Sequence, residues 1–320
     1  MQKRIIQEKA TTSASDKNPQ HFPPTLASAS ELLASYWGRV PLSLALREVH
    51  RLLALGQLLD DQPDTQSILD VGVGDGFWWQ TLKTTRPENV YGIDISDEEL
   101  RLARTRLPQV ANIDVSGENV GDDFAAQGWP RRFHGIIGNC SLEHVPNLEA
   151  ALANIYEALE PGGWFVLFVP TPGWAMQGRM QKLLRKRAPR LAMMTSGAIN
   201  GFFQHWHLMD RPTWTRLLES YGFDVVKVLE MGGQRSEFLY RLGLPPAFAA
   251  FLVKEMSGQY PHRLLPKRPI QALTKRVVRW LDDELSPREA GTRKTGTRDA
   301  SVQTAGDDAY EFAIRCRKPK

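Results

Sequence analysis

The chain has 320 residues, 42% of them apolar and 24% charged, enough for one large core or two small ones without metal or disulfide support. Its two cysteines, Cys140 and Cys316, lie far apart, which excludes a disulfide-stapled scaffold and a thiolate metal knuckle and fits a reducing, cytoplasmic setting. The formal net charge of +4 is too small an excess to mark a nucleic-acid binder, and no run approaches the roughly 20 apolar residues that span a bilayer.

Residues 1–28 are polar, with no apolar periodicity and no signal-peptide core, and are expected to be disordered. Ser30 is placed to cap a short helix carrying Leu32, Leu33, Tyr36 and Trp37. Pro41 opens a stronger one, with Leu42, Leu46, Val49, Leu52, Leu53 and Leu59 at helical spacing. Strand-like runs then alternate with helical patterns. Strands are predicted at Ser67–Val71, Asn89–Ile95, Ala111–Val115, Phe133–Asn139 and Trp164–Val169. Helices are predicted at Phe77–Lys83, at Asp97–Arg106 behind a Ser96 cap, and at Leu148–Leu159, which Pro161-Gly162-Gly163 ends. This alternation implies parallel βαβ units in an open, doubly wound sheet.

After Pro170 the rhythm stops over 171–209. It resumes with a helix at Arg211–Ser220 and a strand at Phe223–Leu229. A second interruption, 231–308, holds helical patterns at Leu242–Met256 and Pro269–Leu285 and a Ser/Thr/Gly-rich stretch, 286–307, expected to be a mobile loop. The segment Ala309–Arg317 alternates like a strand.

The chemistry concentrates at strand ends. The first strand ends at Asp70, and Gly72, Gly74 and Gly76 follow at alternate positions before a helix. Glycines there let the backbone turn tightly and approach a ligand, and the helix start offers free N–H groups. The spacing is G-x-G-x-G, whereas G-x-G-x-x-G favours a dinucleotide pyrophosphate. Asp94 ends the second strand, 20 residues beyond Gly74, where an acid can accept both ribose hydroxyls. A capping role for Asp94 is the alternative, but Ser96 fills it better.

These blocks together resemble the class I methyltransferases. Ile68-Leu69-Asp70-Val71-Gly72-Val73-Gly74-Asp75-Gly76 is similar to the family's first motif, and Gly92-Ile93-Asp94-Ile95-Ser96 to its second. Phe133 to Val145, with Leu142-Glu143-His144, resembles the fourth-strand block, and Leu159-Glu160-Pro161-Gly162-Gly163 the turn before the fifth strand. His134 departs from the usual Asp of that block, and Val115-Ser116-Gly117-Glu118-Asn119 lacks the common Gly-Asp pair of the third motif. The resemblance implies an α/β fold: a doubly wound, seven-stranded, mostly parallel sheet with helices on both faces, an antiparallel last strand and helical insertions. It implies S-adenosylmethionine as cofactor. Asp70, Gly72, Gly74 and Gly76 would wrap its methionine portion, Asp94 would hold the ribose and Ile95 would cover the adenine. Glu118 or Asn119 would sit near the adenine amino group, and Asn139 and Ser141 near the sulfonium.

Within that frame residues 29–60 are expected to cover the site, 61–230 with 309–320 to form the core, 171–209 to make an acceptor-side insertion and 231–308 a helical one. His144, His205 and His207 are the candidate acid–base groups, because imidazole titrates near neutral pH. Two histidines without an obvious carboxylate partner are a weak metal signal, so no metal is expected. The fourth-strand block reads Asn139-Cys140-Ser141-Leu142, without the N-P-P-Y pattern of enzymes that methylate nitrogens in nucleic acids and proteins. The expected acceptor is therefore a small molecule, methylated on oxygen and apolar or lipid-like, and no nucleic-acid partner is expected. Two basic clusters, around Arg179–Arg190 and Arg263–Arg279, would allow peripheral contact with the inner face of a membrane. A nucleic-acid methyltransferase using these clusters and a non-catalytic cofactor-binding subunit are the alternatives.

Overall fold

The computed structural model describes residues 21–22, 28–37, 39–63, 67–82, 87–175, 179–257, 261, 267–285, 287–289 and 309–320. The segments expected to be disordered (1–28) or mobile (286–307) fall almost wholly outside the described residues, as does Arg263.

Seven strands form one sheet: β1 (Ile68–Val71), β2 (Val90–Asp94), β3 (Gln109–Asn112), β4 (Phe133–Asn139), β5 (Leu159–Pro170), β6 (Asp224–Met231) and β7 (Glu311–Arg317). Their spatial order is β3-β2-β1-β4-β5-β7-β6, with the two-residue segment Arg288–Glu289 paired on the outer edge of β6. The pairs from β3 to β5 are parallel, and β7 runs antiparallel between β5 and β6. The expected doubly wound sheet with an antiparallel last strand is thus present. The order reverses between β1 and β4, and the crevice beyond the carboxyl ends of those strands is where ligands bind in such sheets.

The sheet is covered on both faces, as the two-residue period of β5 shows. Trp164, Val166 and Phe168 join one core with Leu46, Leu52, Trp79 and Leu281. Phe165, Leu167 and Val169 join the other with Phe124, Leu152, Trp214 and Phe312. Helices α1 (Ala29–Trp37) and α2 (Leu42–Leu58) pack on the first face. Of the crossover helices, α3 (Phe77–Leu82) and α4 (Asp97–Ala103) also bury residues there, while α5 (Val120–Ala126) and α6 (Leu148–Ala158) cover the second face. Ser96 caps α4 by accepting from the Glu99 N–H at 3.3 Å, as its sequence position predicted.

Three boundaries differ from expectation, each for a local reason. Strand β3 stops at Asn112, because the Asp114 carboxylate accepts from the Ser116 N–H at 2.8 Å and turns the chain. Strand β5 starts at Leu159, because Gly162 and Gly163 exchange hydrogen bonds of 2.9 and 3.0 Å with the Lys318 backbone. The first insertion, read as lacking rhythm, contains α7 (Arg179–Arg187) and α8 (Pro189–Phe202). Helix α9 (Arg211–Ser220) then returns to the sheet behind an Asp210 cap.

In the second insertion α10 (Gln234–Ser257) begins eight residues before the apolar run and carries Pro245-Pro246 inside it. Its N-terminus is secured from α11 (Lys267–Leu285). The Glu284 carboxylate accepts from the Arg235 and Ser236 N–H groups at 3.1 and 2.8 Å. Of the basic clusters, Arg185, Lys186, Arg187 and Arg190 are exposed on α7 and α8, and Lys275, Arg276 and Arg279 on α11. No described helix is long and apolar enough to cross a membrane.

Candidate functional site

The chain leaves β1 through three glycines with φ of +81° (Gly72), +53° (Gly74) and +71° (Gly76), a region that L side chains rarely adopt. A Cβ on Gly72 would lie 2.5 Å from the Ser141 Cβ, whereas one on Gly74 would meet nothing within 4 Å. Gly72 is therefore needed for close packing against the end of β4, and Gly74 presents bare backbone to open space. The turn is fastened to β2. The Gly72 and Val73 N–H groups donate to the Ile93 carbonyl at 2.8 and 3.0 Å. The Gly74 N–H donates to Asp94 Oδ2 at 2.9 Å, and the Ser96 N–H donates to Asp94 Oδ1 at 2.9 Å. Each Asp94 oxygen so held keeps acceptor capacity. The neighbouring Ile95 is 72% exposed, an apolar plate at the mouth of the turn.

A cavity of about 800 Å³ lies between this turn and the N-terminal helices, lined among others by Tyr36, Arg39, Arg47, Gly72, Gly74 and Asn139. Asp75 joins the two sides. It caps α3 through the Phe77 N–H at 2.9 Å and forms ion pairs with Arg39 (2.8 Å) and Arg106 (3.3 Å). Asp70 lies under the turn, 2% exposed. Its Oδ2 accepts from the Trp79 indole N–H at 2.6 Å, and burial pushes its carboxyl up to about 7.

The residues fit the cofactor that the motifs imply. Asp70 Oδ1, Asn139 Oδ1 and Ser141 Oγ are buried polar atoms without hydrogen-bond partners beside the turn. Gly74 holds a backbone conformation that L side chains rarely adopt, with open space where a Cβ would stand. Glu118 and Asn119 are exposed at the start of α5 and do not line the cavity.

The three candidate histidines meet where β4 ends. After Asn139, Cys140 takes a φ of +51°, and Leu142–His144 forms one helical turn. The end of the first insertion is tied to that turn. The Trp206 and His207 N–H groups donate to the Glu143 carbonyl at 2.8 and 3.3 Å, and a His207 ring nitrogen bonds the Val145 carbonyl at 2.9 Å. The His144 Nδ1–H donates to the Gln204 carbonyl at 3.2 Å, which leaves Nε2 as the lone-pair nitrogen of the neutral ring.

The His205 ring stacks on Phe203, meets Trp174 edge-on, and lies 5.3 Å from the His144 ring. Burial, helped by His144 and Arg47, lowers its pKa to about 3, so the ring is neutral at working pH. His144 and His205 thus face each other, whereas the His207 ring is tied to Val145. Among the described residues, Cys140 and Gln204 (φ +53°) are the two non-glycine residues with positive φ, and they flank this meeting point. Strain of this kind, of order 1–3 kcal/mol each, persists where surrounding structure imposes it.

Sequence reasoning missed the polar wall beside the histidines. Arg47 and Arg51 of α2 converge on the buried Glu311 of β7, with Arg51 donating at 2.7 and 3.0 Å. The Arg47 guanidinium also lies 4.0 Å over the Trp174 ring. The available signal was weak: two arginines one helical turn apart beside an otherwise apolar stripe. A second cavity, of about 560 Å³, opens between α8 and α10. Its lining is almost wholly apolar and includes Ile199, Phe202, Phe203, Leu244 and Phe248, and Leu44 borders both cavities.

Comparison with known proteins agrees with this geometry. A family model described as a methyltransferase domain matches residues 36–228, more than half of the chain. Phosphoethanolamine N-methyltransferase 2 of Caenorhabditis elegans is 29% identical over 112 residues, covering 35% of this chain and 25% of the relative. The ubiquinone biosynthesis O-methyltransferase of Nitrosomonas europaea is 26% identical over 144 residues, covering 44% and 60%. The erythromycin 3''-O-methyltransferase of Saccharopolyspora erythraea is 26% identical over 212 residues, covering 60% and 61%. The chain therefore spans between a quarter and about three fifths of the length of these relatives.

Proposed function

The chain belongs to the methyltransferase-domain family, the class I S-adenosylmethionine-dependent methyltransferases, and from that premise we propose that it methylates a hydroxyl oxygen of an apolar small molecule. S-adenosylmethionine supplies an activated methyl group when bound. The chain supplies position and a path for the proton. Gly72, Gly74 and Gly76 would hold the methionine portion against the backbone, with Arg39 and Tyr36 on the facing wall of the cavity. Asp94, oriented by the Gly74 and Ser96 N–H groups, would accept the ribose hydroxyls.

The observation that carries the acceptor assignment is the shared wall of the two cavities. Leu44 borders both, and Phe203 links the apolar one to His205 and Trp174. An acceptor lying in the apolar groove would bring a polar end toward His144 and His205. His144 Nε2 is free to take a hydroxyl proton, because its Nδ1–H is committed to Gln204. The names of the relatives include both oxygen and nitrogen methylation, so the preference for oxygen rests on the paired imidazoles.

The test is product identification. The purified chain is incubated with a cell extract and deuterated-methyl cofactor, and the products are resolved by mass spectrometry. The label is expected in an organic-phase product as a methyl ether or ester. Label confined to a water-soluble amine would overturn both the apolar acceptor and the oxygen assignment.

A further inference from the structure

We propose that Glu143, His144 and His205 form a site for one divalent transition-metal ion, which would hold and acidify the acceptor hydroxyl; with the ion bound, His144 Nε2 would be a ligand instead of the base, and the hydroxyl proton would pass to water. The role in catalysis rests on the methyl-transfer reading; the binding itself does not.

One carboxylate oxygen and two imidazole nitrogens, one from each residue, lie within 4.8 Å of one another. Glu143 Oε1 and His144 Nε2 are 3.8 Å apart. Ligands about 2.1 Å from a tetrahedral ion lie about 3.4 Å apart, so the widest pair must close by up to about 1.4 Å. His144, 40% exposed, has room for that adjustment. Sequence spacing concealed the set, because the carboxylate that the two histidines lacked is the neighbour of His144, on the far side of a 61-residue separation from His205.

Three further observations point to a cation. Glu143 is 1% exposed, yet neither of its carboxylate oxygens has a hydrogen-bond partner, and His205 Nδ1 is likewise buried and unpartnered. A carboxylate taken out of water without donors is costly, and a cation would compensate it. Arg51 and Arg47 favour the Glu143 charge only at a distance, since their hydrogen bonds run to Glu311, Glu48 and Cys140.

The outer contacts of the cluster are also those of a metal site. The His144 Nδ1–H donates to the Gln204 carbonyl, the arrangement that fixes the tautomer of a ligating histidine. The Glu143 carbonyl is held by Trp206 and His207 N–H groups, and the strained Cys140 and Gln204 lie on either side. Two imidazoles and one carboxylate suit zinc, cobalt, manganese or iron(II) rather than calcium or magnesium. Three protein ligands would leave a position open for the acceptor oxygen, where an ion lowers the pKa of a bound hydroxyl.

The test uses the full chain, dialysed against chelator and titrated with Co²⁺, with d–d absorption as the signal and S-adenosylhomocysteine binding measured in parallel. One equivalent of Co²⁺ is expected to bind the wild type. Glu143→Gln and His205→Ala should each weaken binding at least about tenfold, while His134→Ala, at a half-buried histidine paired with Glu160, should not. Wild type that binds S-adenosylhomocysteine but no Co²⁺ overturns the metal site and leaves the cofactor reading intact. Co²⁺ binding unchanged in both ligand variants also overturns it. Where a variant fails to fold, X-ray absorption on the zinc-loaded wild type decides. Two imidazole nitrogens without sulfur support the site, and a sulfur shell or a single imidazole overturns it.

Discussion

Asp70 and Asp94 end neighbouring strands, and their surroundings separate their roles. Asp94 lies beside the glycine turn with backbone donors on both oxygens. Asp70 is buried with one indole donor, and its pKa is pushed up to about 7. Between the unfolded value near 4 and about 7, folded Asp70 holds a proton that the unfolded chain has released. Its contribution to stability is therefore highest below about pH 4 and declines as pH rises to about 7. His50 acts in the opposite sense. It is buried between Tyr310 and the Glu284 carbonyl, and burial lowers its pKa to about 4. It costs stability as pH falls through the window from about 6.5 to about 4. Asp70→Asn should remove the first slope and keep the second. Melting temperatures taken from pH 5 to 8 should show the variant gaining on wild type as pH rises. Parallel curves would show that Asp70 is ionised in the fold.

At the scale of elements, β7 and α2 are joined by charge in the interior. Glu311 on the strand accepts from Arg47 and Arg51 on the helix, and Tyr310 bonds to His50 of the same helix. Removing one partner leaves uncompensated buried charge, which costs about 3–5 kcal/mol. Glu311→Gln should lower unfolding free energy in urea by about that amount, and a loss below about 1 kcal/mol would mean that the arginines find other partners. None of this was legible in the sequence, because about 260 residues separate the partners. What was legible was local. The alternation of apolar runs placed the seven strands, and Ser96 stands at the start of a helix whose side-chain cap the structure contains. The insertion helices α7 and α8 escaped notice because their residues carry a broken apolar stripe: α8 leaves Leu191, Met193 and Met194 exposed.

At the scale of the molecule, a familiar sheet carries a site closed by parts distant in sequence. The glycine turn and the acid of the next strand were readable, since both are short-range signals tied to one strand order. Asn139 was readable for the same reason, as the last residue of β4 at the switch point. The acceptor side was not. The walls proposed for it come from α2, the turn after β4, the end of the first insertion and α10, and only folding brings Arg47, Glu143, Trp174 and His205 together. His205 and His207 stood out in the sequence, but the structure gives them different surroundings: one ring faces His144, the other is fixed to Val145.

The proposed chemistry requires that the glycine turn and Asp94 hold S-adenosylmethionine. Calorimetric titration with S-adenosylhomocysteine tests it most directly. The wild type should bind one equivalent. Gly72→Val, which forces a side chain into Ser141, and Asp94→Ala, which removes the ribose acceptor, should each reduce affinity at least about tenfold, a loss of about 1.4 kcal/mol. Absence of binding by the folded wild type, or wild-type affinity in both variants, would show that the cofactor is not held there.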